Sequence, residues 1–350
     1  MLKVHKKCPE GWDEFNLRAG GEANILQSLY WANVIRMLDA AEPFFITFEH
    51  QGKTIAQALV LKRYFFNRES RRKIFFLPYL ECLDGPVIID PDHAVSAIEE
   101  ITEFAVKLGK QCLATHIRFE PPHTSRWISD TGMARVYQNF GFKVNNWATY
   151  LVNLRSPENE ILEKVDKKAR EKIRKASRMG VKIRKINDPE DFILNAGEVF
   201  RAGGVKKAHS FSTARVIFEE DKKGFYHYYL AYDKKNRNLA VIGMYVFNNV
   251  ATRISSSLSP VCRQERIPAQ DSLTWNCILE ARRMGCHTFD MAGVNPNPQT
   301  PKEAGIKQFK EKWGGKYVEY NFYFKDLLPV LSKIRKWIRP LAARIREKLA

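Results

Sequence analysis

The sequence lacks the short motifs that mark the common catalytic and nucleotide-binding sites. It has no Walker-type phosphate loop, no G-x-G-x-x-G after a predicted strand, no G-x-S-x-G elbow and no H-E-x-x-H. These absences exclude most nucleotide hydrolases, dehydrogenases, serine hydrolases and zinc proteases. A glycine turn of the acetyl-CoA type (Arg or Gln, then x-x-G-x-Gly or Ala, before a helix) is also missing, since SRMGVKI and RAGGVKK do not fit it. This disfavours an ordinary acetyl-CoA enzyme.

Long apolar runs and paired cysteines are absent too. No stretch approaches the roughly 20 apolar residues of a membrane-spanning helix. The first residues, MLKVHKKCPEGWDEF, lack the apolar centre of a signal peptide. The six cysteines form no C-x-x-C pair, which predicts reduced thiols in a cytoplasmic protein. The eight histidines show no metal-ligand spacing, so the sequence predicts no metal site.

Negative charge is scarce. The chain has 39 Asp and Glu against 57 Lys and Arg, which gives a formal net charge of +18 at pH 7. Such a surplus predicts an anionic partner, which could be a nucleic acid, a membrane surface or a phosphorylated substrate. The alternative is a basic surface that serves solubility alone.

The order of predicted elements repeats in the two halves of the 350-residue chain. Each half reads as a hairpin, a strand, a helix that ends in glycine, and a strand. The predicted helices lie at 91–109 and 268–285. The pattern predicts an α/β (α+β) fold with two tandem domains, in which helices flank mixed sheets. We expect the domains at 1–155 and 156–325, followed by a basic amphipathic helix at 326–350.

Two predicted helices concentrate the positive charge. The first opens the second domain and carries eight Lys or Arg between residues 164 and 178. This density predicts binding of tRNA or another anion, although a solvated helix face is the alternative. Its candidate contacts are Lys168, Arg170, Arg174 and Arg178. The second is the helix at 326–350, which is typical of a helix on an anionic membrane but could equally pack on the protein.

Residues 303–320, EAGIKQFKEKWGGKYVEY, place Lys310 between two aromatic residues and just before a glycine pair. A lysine held in this way can neutralise a phosphate or a developing negative charge. The Gly314–Gly315 turn would let the backbone approach a ligand closely. The alternative is a lysine on the helix surface.

Six segments between about residue 25 and residue 322 form an ordered set of motifs: LQSLYWANVIR, LDGPVIID, IRFEPP, KKAREKIRKASRMGVKIR, DMAGVNP and GIKQFKEKWGG. Together they resemble the Fem family of peptidyltransferases (the FemA, FemB and FemX group). The resemblance implies two GNAT-like (acetyltransferase-like) domains. It also implies transfer of an amino acid from aminoacyl-tRNA to an amine of a cell-wall precursor peptide, which is UDP-linked or lipid-linked. Aminoacyl-tRNA is then the co-substrate, and no other cofactor is expected. Residues 187–224 are too few for the long coiled-coil arm of some family members, so we expect no such arm.

An aminoacyl ester is already activated. Its transfer requires alignment, removal of one proton and stabilisation of an oxyanion, but no covalent nucleophile. Glu120, at the end of its strand, is the candidate proton acceptor, and a pair with Arg118 is the alternative. Asp290 occupies the equivalent place in the second half and is a second candidate, for which a structural role is the alternative. Lys310 is the third catalytic candidate. The candidate substrate-binding residues are Arg36, Tyr79, Arg266, Phe309, Trp313 and Gly314.

Two other functions remain open at this stage. One is an acyl-CoA-dependent N-acyltransferase on the same fold. The other is a non-enzymatic protein that binds nucleic acid or a membrane through its basic patches. The expected location is the cytoplasm, with peripheral contact at the inner face of the membrane if the helix at 326–350 binds lipid.

Overall fold

The computed structural model describes residues 1–20, 23–64, 66–67, 72–73, 76–123, 130–204, 211–221 and 223–329. The chain divides into two compact units. The first unit contains residues 1–145 and the chain from residue 321 onward, and the second contains residues 146–320. The sequence-based boundaries lay at 155/156 and 325/326, so residues 146–155 fall in the second unit and residues 321–325 in the first. The predicted helix at 326–350 lies, from residue 330 on, outside the described residues.

The first unit is built from a mixed sheet with helices on both of its faces. Its elements are β1 (Leu2–His5), α1 (Trp12–Arg18), α2 (Leu29–Asp39), β2 (Glu42–His50), β3 (Lys53–Arg63), β4 (Phe66–Asn67), β5 (Arg72–Lys73), β6 (Tyr79–Leu83), β7 (Val87–Ile88), α3 (Ala94–Gln111), β8 (His116–Glu120) and α4 (Asp130–Asn139).

The second unit follows the same plan. Its elements are β9 (Lys143–Asn153), α5 (Glu158–Lys164), α6 (Lys167–Arg178), β10 (Lys182–Ile186), α7 (Pro189–Asp191), α8 (Gly197–Ala202), α9 (Phe211–Glu220), β11 (Tyr226–Tyr232), β12 (Asn238–Phe247), β13 (Val250–Leu258), α10 (Pro260–Gln264), α11 (Ala269–Arg283), β14 (Thr288–Asp290), α12 (Pro301–Glu311) and β15 (Lys316–Asp326). The unit boundaries fall inside β9 and β15, and the end of β15 belongs to the first unit.

The two units have the same sheet topology. In the first unit the order is β1-β2-β3-β6-β8, and the end of β15 follows as a sixth strand. In the second unit the order is β10-β11-β12-β13-β14, and β9 is the sixth strand. In both, the fourth and fifth strands are parallel and joined through a long helix, α3 or α11, while the other neighbours are antiparallel. The predicted internal repeat and the mixed α/β class are confirmed.

Both sheets are buried on two faces. In the first unit, one face packs against α3 and α4 through residues such as Ile98 and Tyr137, and the other face packs against Trp12 of α1 and Ile35 of α2. In the second unit, α11 and α6 cover one face, while Phe192 and Phe200 belong to the cluster on the other. Burial on both faces explains why β3 and β12 read as nearly continuous apolar runs rather than as alternating patterns.

Several predicted boundaries differ from the structure. Helix α3 continues past Gly109 to Gln111, because this glycine packs against Leu327 instead of ending the helix: a Cβ there would lie 2.5 Å from the leucine side chain. The segment 73–79, which the sequence predicts as one strand, contains Lys73 of β5 and Tyr79 of β6. Pro78, directly before β6, has no N–H for a strand ladder.

The basic helix predicted at the start of the second domain is two helices. Val165 has extended backbone angles, and the Asp166 carboxylate accepts hydrogen bonds from the backbone N–H groups of Lys168 and Ala169. This side chain caps α6 and therefore starts a new helix. The apolar stripe that the sequence predicts along this segment is nevertheless present: Ile161, Val165, Ala169 and Ala176 are buried, and the fifth member, Ile173, packs against the core of the second unit.

The described part of the chain contains no long coiled-coil arm, in agreement with the prediction. No helix within the described ranges is both long and apolar enough to cross a membrane. All six cysteines are free thiols.

Candidate active site

The parallel strands β13 and β14 of the second unit separate part of the way along β13. Their pairing ends at Thr252 and Asp290, whereas β13 continues along β12 to Leu258. The chain after β14 follows β9 instead: Met291 N–H donates to the Tyr150 carbonyl at 3.0 Å, and Val294 pairs with Ala148. We call the space between residues 253–258 and residues 291–293 the strand gap.

The equivalent strands of the first unit stay together. There β6 and β8 pair up to Leu83 and Glu120, the last residue of each, and Gly85 N–H donates to the Glu120 carbonyl at 3.1 Å. The repeat therefore explains why Glu120 and Asp290 occupy equivalent positions. It also shows that the two units differ at this point, and that the strand gap is a feature of the second.

The loop after β14 has a shape that its sequence enforces. The Asp290 carboxylate accepts from Thr149 Oγ1 and from the Ala292 backbone N–H at 2.8 Å. Ala292 has a left-handed φ of 62°. A Cβ at Gly293 would lie only 2.0 Å from Trp147 Nε1, so only glycine fits beneath this indole. Asp290 is thus a buried positioning residue that holds two backbone carbonyls in place.

Those two carbonyls bind Lys310. The side chain of Lys310 is 7% exposed, and its Nζ donates to the carbonyl oxygens of Ala292 and Gly293, each at 2.9 Å. An ammonium group has three donors, so one remains without a hydrogen-bond partner among the described residues. Burial, together with the nearby Arg253, lowers the pKa of Lys310 to about 8, and Asp290 opposes this shift. The structure therefore brings the candidates Lys310 and Asp290 together, and Lys310 is not a surface lysine.

Helix α12 carries Lys310 and has strong local signals. Thr300 caps the helix by accepting from the Glu303 N–H at 3.2 Å, and Pro301 occupies the first helical position. Phe309 lies between two cations, with the Arg253 guanidinium 5.2 Å and Lys312 Nζ 4.0 Å from the ring centroid. Its ring thus belongs to the wall next to Lys310.

Trp313 and Gly314 pack against other residues of the second unit. Trp313 is fully buried in the core of the second unit. Gly314 has a left-handed φ of 71°, and a Cβ there would lie 2.5 Å from the Lys164 carbonyl. The close approach that this glycine allows is therefore to α5 of the same chain. The neighbouring Gly315 packs in the same way against the backbone of Leu151.

The basic helix α6 starts beside the end of α12. Asp166 N–H donates to the Lys312 carbonyl at 2.8 Å, which fixes the first turn of α6 two residues from Lys310. Lys168, Arg174 and Arg178 are exposed, and Arg170 is partly so. Among the residues that the structure describes, none of these four side chains has an acidic partner. The anion-binding candidates thus form one exposed basic surface on the unit that holds the strand gap.

Glu120 belongs to the first unit. It forms the ion pair with Arg118 that was the alternative interpretation, with 2.5 Å between Arg118 Nη2 and Glu120 Oε2. Burial nevertheless raises the pKa of Glu120 above its usual range, although Arg118 opposes this effect. Nearby in the sheet, the Tyr79 ring stacks on His116 with 5.0 Å between centroids.

The remaining two candidates belong to different units. Arg36 lies in the last turn of α2 in the first unit, and Arg266 follows α10 in the second with a left-handed φ of 54°. Both side chains are exposed.

Sequence reasoning missed Arg253 and Thr149. Arg253 stands in VATRISSSL, a strand that otherwise has only small and apolar residues, and this single charge was the available signal. Strand β9, which supplies Thr149, was missed although Ala148, Tyr150 and Val152 alternate along it and are buried. Within the described ranges, no group of His, Cys, Asp and Glu residues could hold a metal ion.

Solved structures share this fold over nearly the whole chain. FemX is 15% identical, with 95% of this chain and 99% of FemX covered and a TM-score of 0.71. A tandem GNAT protein from the clavulanic acid biosynthesis pathway is 9% identical over 93% of this chain and 98% of its own, with a TM-score of 0.58. L-PGS from Bacillus licheniformis is 14% identical over 97% and 98%, with a TM-score of 0.56. No family model and no curated protein matches the sequence.

These similarities define the fold of the chain as a tandem GNAT fold. More particularly, the chain has the fold of FemX, as the sequence motifs predicted.

Proposed function

We propose that the chain is an aminoacyltransferase that moves an amino acid from aminoacyl-tRNA to an amine of a cell-wall precursor peptide. The sequence resemblance to the Fem family and the fold shared with FemX support this proposal. The proposed partners are aminoacyl-tRNA and a UDP-linked or lipid-linked peptide. We further propose that the predicted helix at 326–350 contacts an anionic membrane. Most of this segment lies outside the described residues.

One observation carries the proposal: the buried ammonium of Lys310 lies at the strand gap, and the exposed basic helix α6 begins beside the same helix end. An acyl transfer develops negative charge on the carbonyl oxygen, and a fixed, poorly solvated cation stabilises that charge strongly. A tRNA donor needs, in addition, a basic surface that contacts its phosphates. Both features occur in one unit.

The proposed step needs no covalent enzyme intermediate. The neutral amine attacks the ester carbonyl carbon, which forms the new N–C bond and places the negative charge on the carbonyl oxygen. Lys310 donates to this oxygen. The bond to the ribose oxygen then breaks, the ribose takes a proton, and the amine loses one. Asp290 contributes by holding the carbonyls that orient Lys310.

The proton-acceptor role is proposed for Glu120 in the first unit, since its raised pKa makes the carboxylate a better base. We expect Glu120→Gln to lower the transfer rate about 10²-fold or more, with the donor KM unchanged. The measurement is steady-state transfer by the full chain. Arg118→Gln is the control for the ion pair, because it releases Glu120 without removing the carboxylate. Equal rates for wild type and Glu120→Gln would exclude the role.

A second candidate is an acyl-CoA-dependent N-acyltransferase. The fold shared with the tandem GNAT protein favours it, while the missing glycine turn of the acetyl-CoA type disfavours it. The donor is tested by fluorescence binding of an aminoacylated acceptor-stem RNA and by thermal shift with acyl-CoA. We expect binding of the RNA and no protection by acyl-CoA. Protection by acyl-CoA without RNA binding would replace the proposal with this alternative.

A further inference from the structure

Arg253 is a buried cation without an anionic partner. Its side chain is 8% exposed, on β13, at the residue that follows the last pair with β14. Its Nη2 donates to Ser256 Oγ at 2.6 Å, and its Nε has no hydrogen-bond partner. Among the described residues, no carboxylate contacts the guanidinium. Burial accordingly lowers the pKa of Arg253 to about 10.

Such an arrangement costs stability. Buried arginines are normally paired with carboxylates, and a buried guanidinium with unused donors loses hydration without compensation. The same region holds the second buried cation, Lys310, whose pKa Arg253 lowers. Phe309, which precedes Lys310 on α12, has its ring centroid 5.2 Å from the Arg253 guanidinium. The strand gap thus contains two cations. Among the described residues, the carboxylate that opposes the pKa shift of Lys310 is that of Asp290, which already accepts from the Ala292 backbone N–H.

We propose that Arg253, beside Lys310, forms a buried oxyanion site in the strand gap, which takes a single phosphate or carboxylate group. The guanidinium supplies the hydrogen bonds, and Lys310 contributes its positive charge. A guanidinium has a planar fork of donors that matches two oxygens of one oxyanion. A bound oxyanion would supply the negative charge and the hydrogen-bond acceptors that the described residues do not provide to Arg253. Whether this oxyanion belongs to the aminoacyl donor or to the amine substrate depends on the proposed function. The existence of the site does not depend on it.

The test measures the melting temperature of the full chain with phosphate, adenosine 5′-monophosphate or acetate, at an ionic strength kept constant with sodium chloride. We expect one class of oxyanion to raise the wild-type melting temperature by about 2 °C at ten times its dissociation constant. Phosphate and the nucleotide would identify a phosphate site, and acetate a carboxylate site. If neither class raises the melting temperature above its value in sodium chloride alone, the proposal is overturned.

Two variants locate the effect. Arg253→Met should abolish the response, and Arg253→Lys should weaken oxyanion binding at least tenfold because it keeps the charge but loses the fork. Arg263→Met, an exposed arginine of the same unit, should respond like the wild type. An equal response in Arg253→Met would contradict the site.

Stability provides an independent readout. If Arg253 is kept for a ligand, Arg253→Met in buffer without oxyanion should melt at or above the wild-type temperature, since it removes a buried unpaired charge. A structural arginine would give the opposite result, a clear fall. Oxyanion binding by a protein without any transfer activity would support the oxyanion site and refute only the proposed function.

Discussion

Lys310→Met is expected to lower the rate of aminoacyl transfer by about 10²–10³-fold, which is the usual effect of removing one fixed donor to a developing oxyanion. The methionine keeps the volume of the buried side chain but cannot donate to the carbonyls of Ala292 and Gly293 or to the substrate. The donor KM should change little, because the interaction strengthens in the transition state. The measurement is single-turnover transfer at saturating donor.

Lys302→Met is the matched control for this prediction. Lys302 is an exposed lysine on the same helix, α12, and its replacement should leave the rate within about twofold of wild type. A Lys310→Met protein that transfers as fast as this control would show that Lys310 is only structural.

The same variant tests the ionisation of Lys310. The folded-state pKa of about 8 lies below the ordinary 10.5, so between these pH values the unfolded chain holds a proton that the folded chain has lost. The free energy of unfolding of the wild type should therefore rise with pH in this window relative to Lys310→Met, by up to about 1.4 kcal/mol per pH unit. Chemical denaturation at pH 7 to 10 measures it, and parallel curves for the two proteins would contradict the burial of a charged lysine.

Neutralising the basic surface of α6 should have the second large effect. The quadruple replacement of Lys168, Arg170, Arg174 and Arg178 by alanine is expected to weaken tRNA binding by about 10²–10³-fold at 0.1 M salt. The slope of log affinity against log salt should fall by about 3, because each lost phosphate contact removes roughly 0.7–0.9. Transfer at saturating tRNA should be nearly unchanged, since these side chains lie on the exposed face of α6.

A control with equal charge separates this surface from the net charge of +18. Lys53, Lys107, Lys110 and Lys143 are exposed and lie in the first unit. Their joint replacement by alanine should alter the salt slope by less than about 1. If both quadruple variants lose the same affinity, α6 is not a specific binding surface.

The fold could be predicted because its signals are local and occur twice. The hairpin at Gln51–Gly52 has two left-handed residues, as its turn requires, and the helices between the parallel strands have clear apolar stripes and glycine signals. The boundaries that failed depend on contacts with distant residues. Gly109 continues its helix because Leu327 packs on it, and neither residue reveals this in the sequence.

The site could be predicted only in part, for the same reason. The position of Lys310 before the glycine pair and the motif around Asp290 were visible, but their connection through the carbonyls of residues 292 and 293 is a tertiary contact. Arg253 joins the site because β13 continues where β14 ends, and that difference between strand lengths has no local signal. Gly314, conversely, looked like a ligand turn because its left-handed backbone is the same whether a substrate or Lys164 approaches it.

The most direct test is a transfer assay with the full chain, a pool of radiolabelled aminoacyl-tRNAs, and UDP-linked and lipid-linked peptides as acceptors. We expect label on a peptide acceptor, lost when the donor is first treated with RNase and reduced at least about 10²-fold in Lys310→Met. Label transfer from acyl-CoA but from no tRNA would contradict the account.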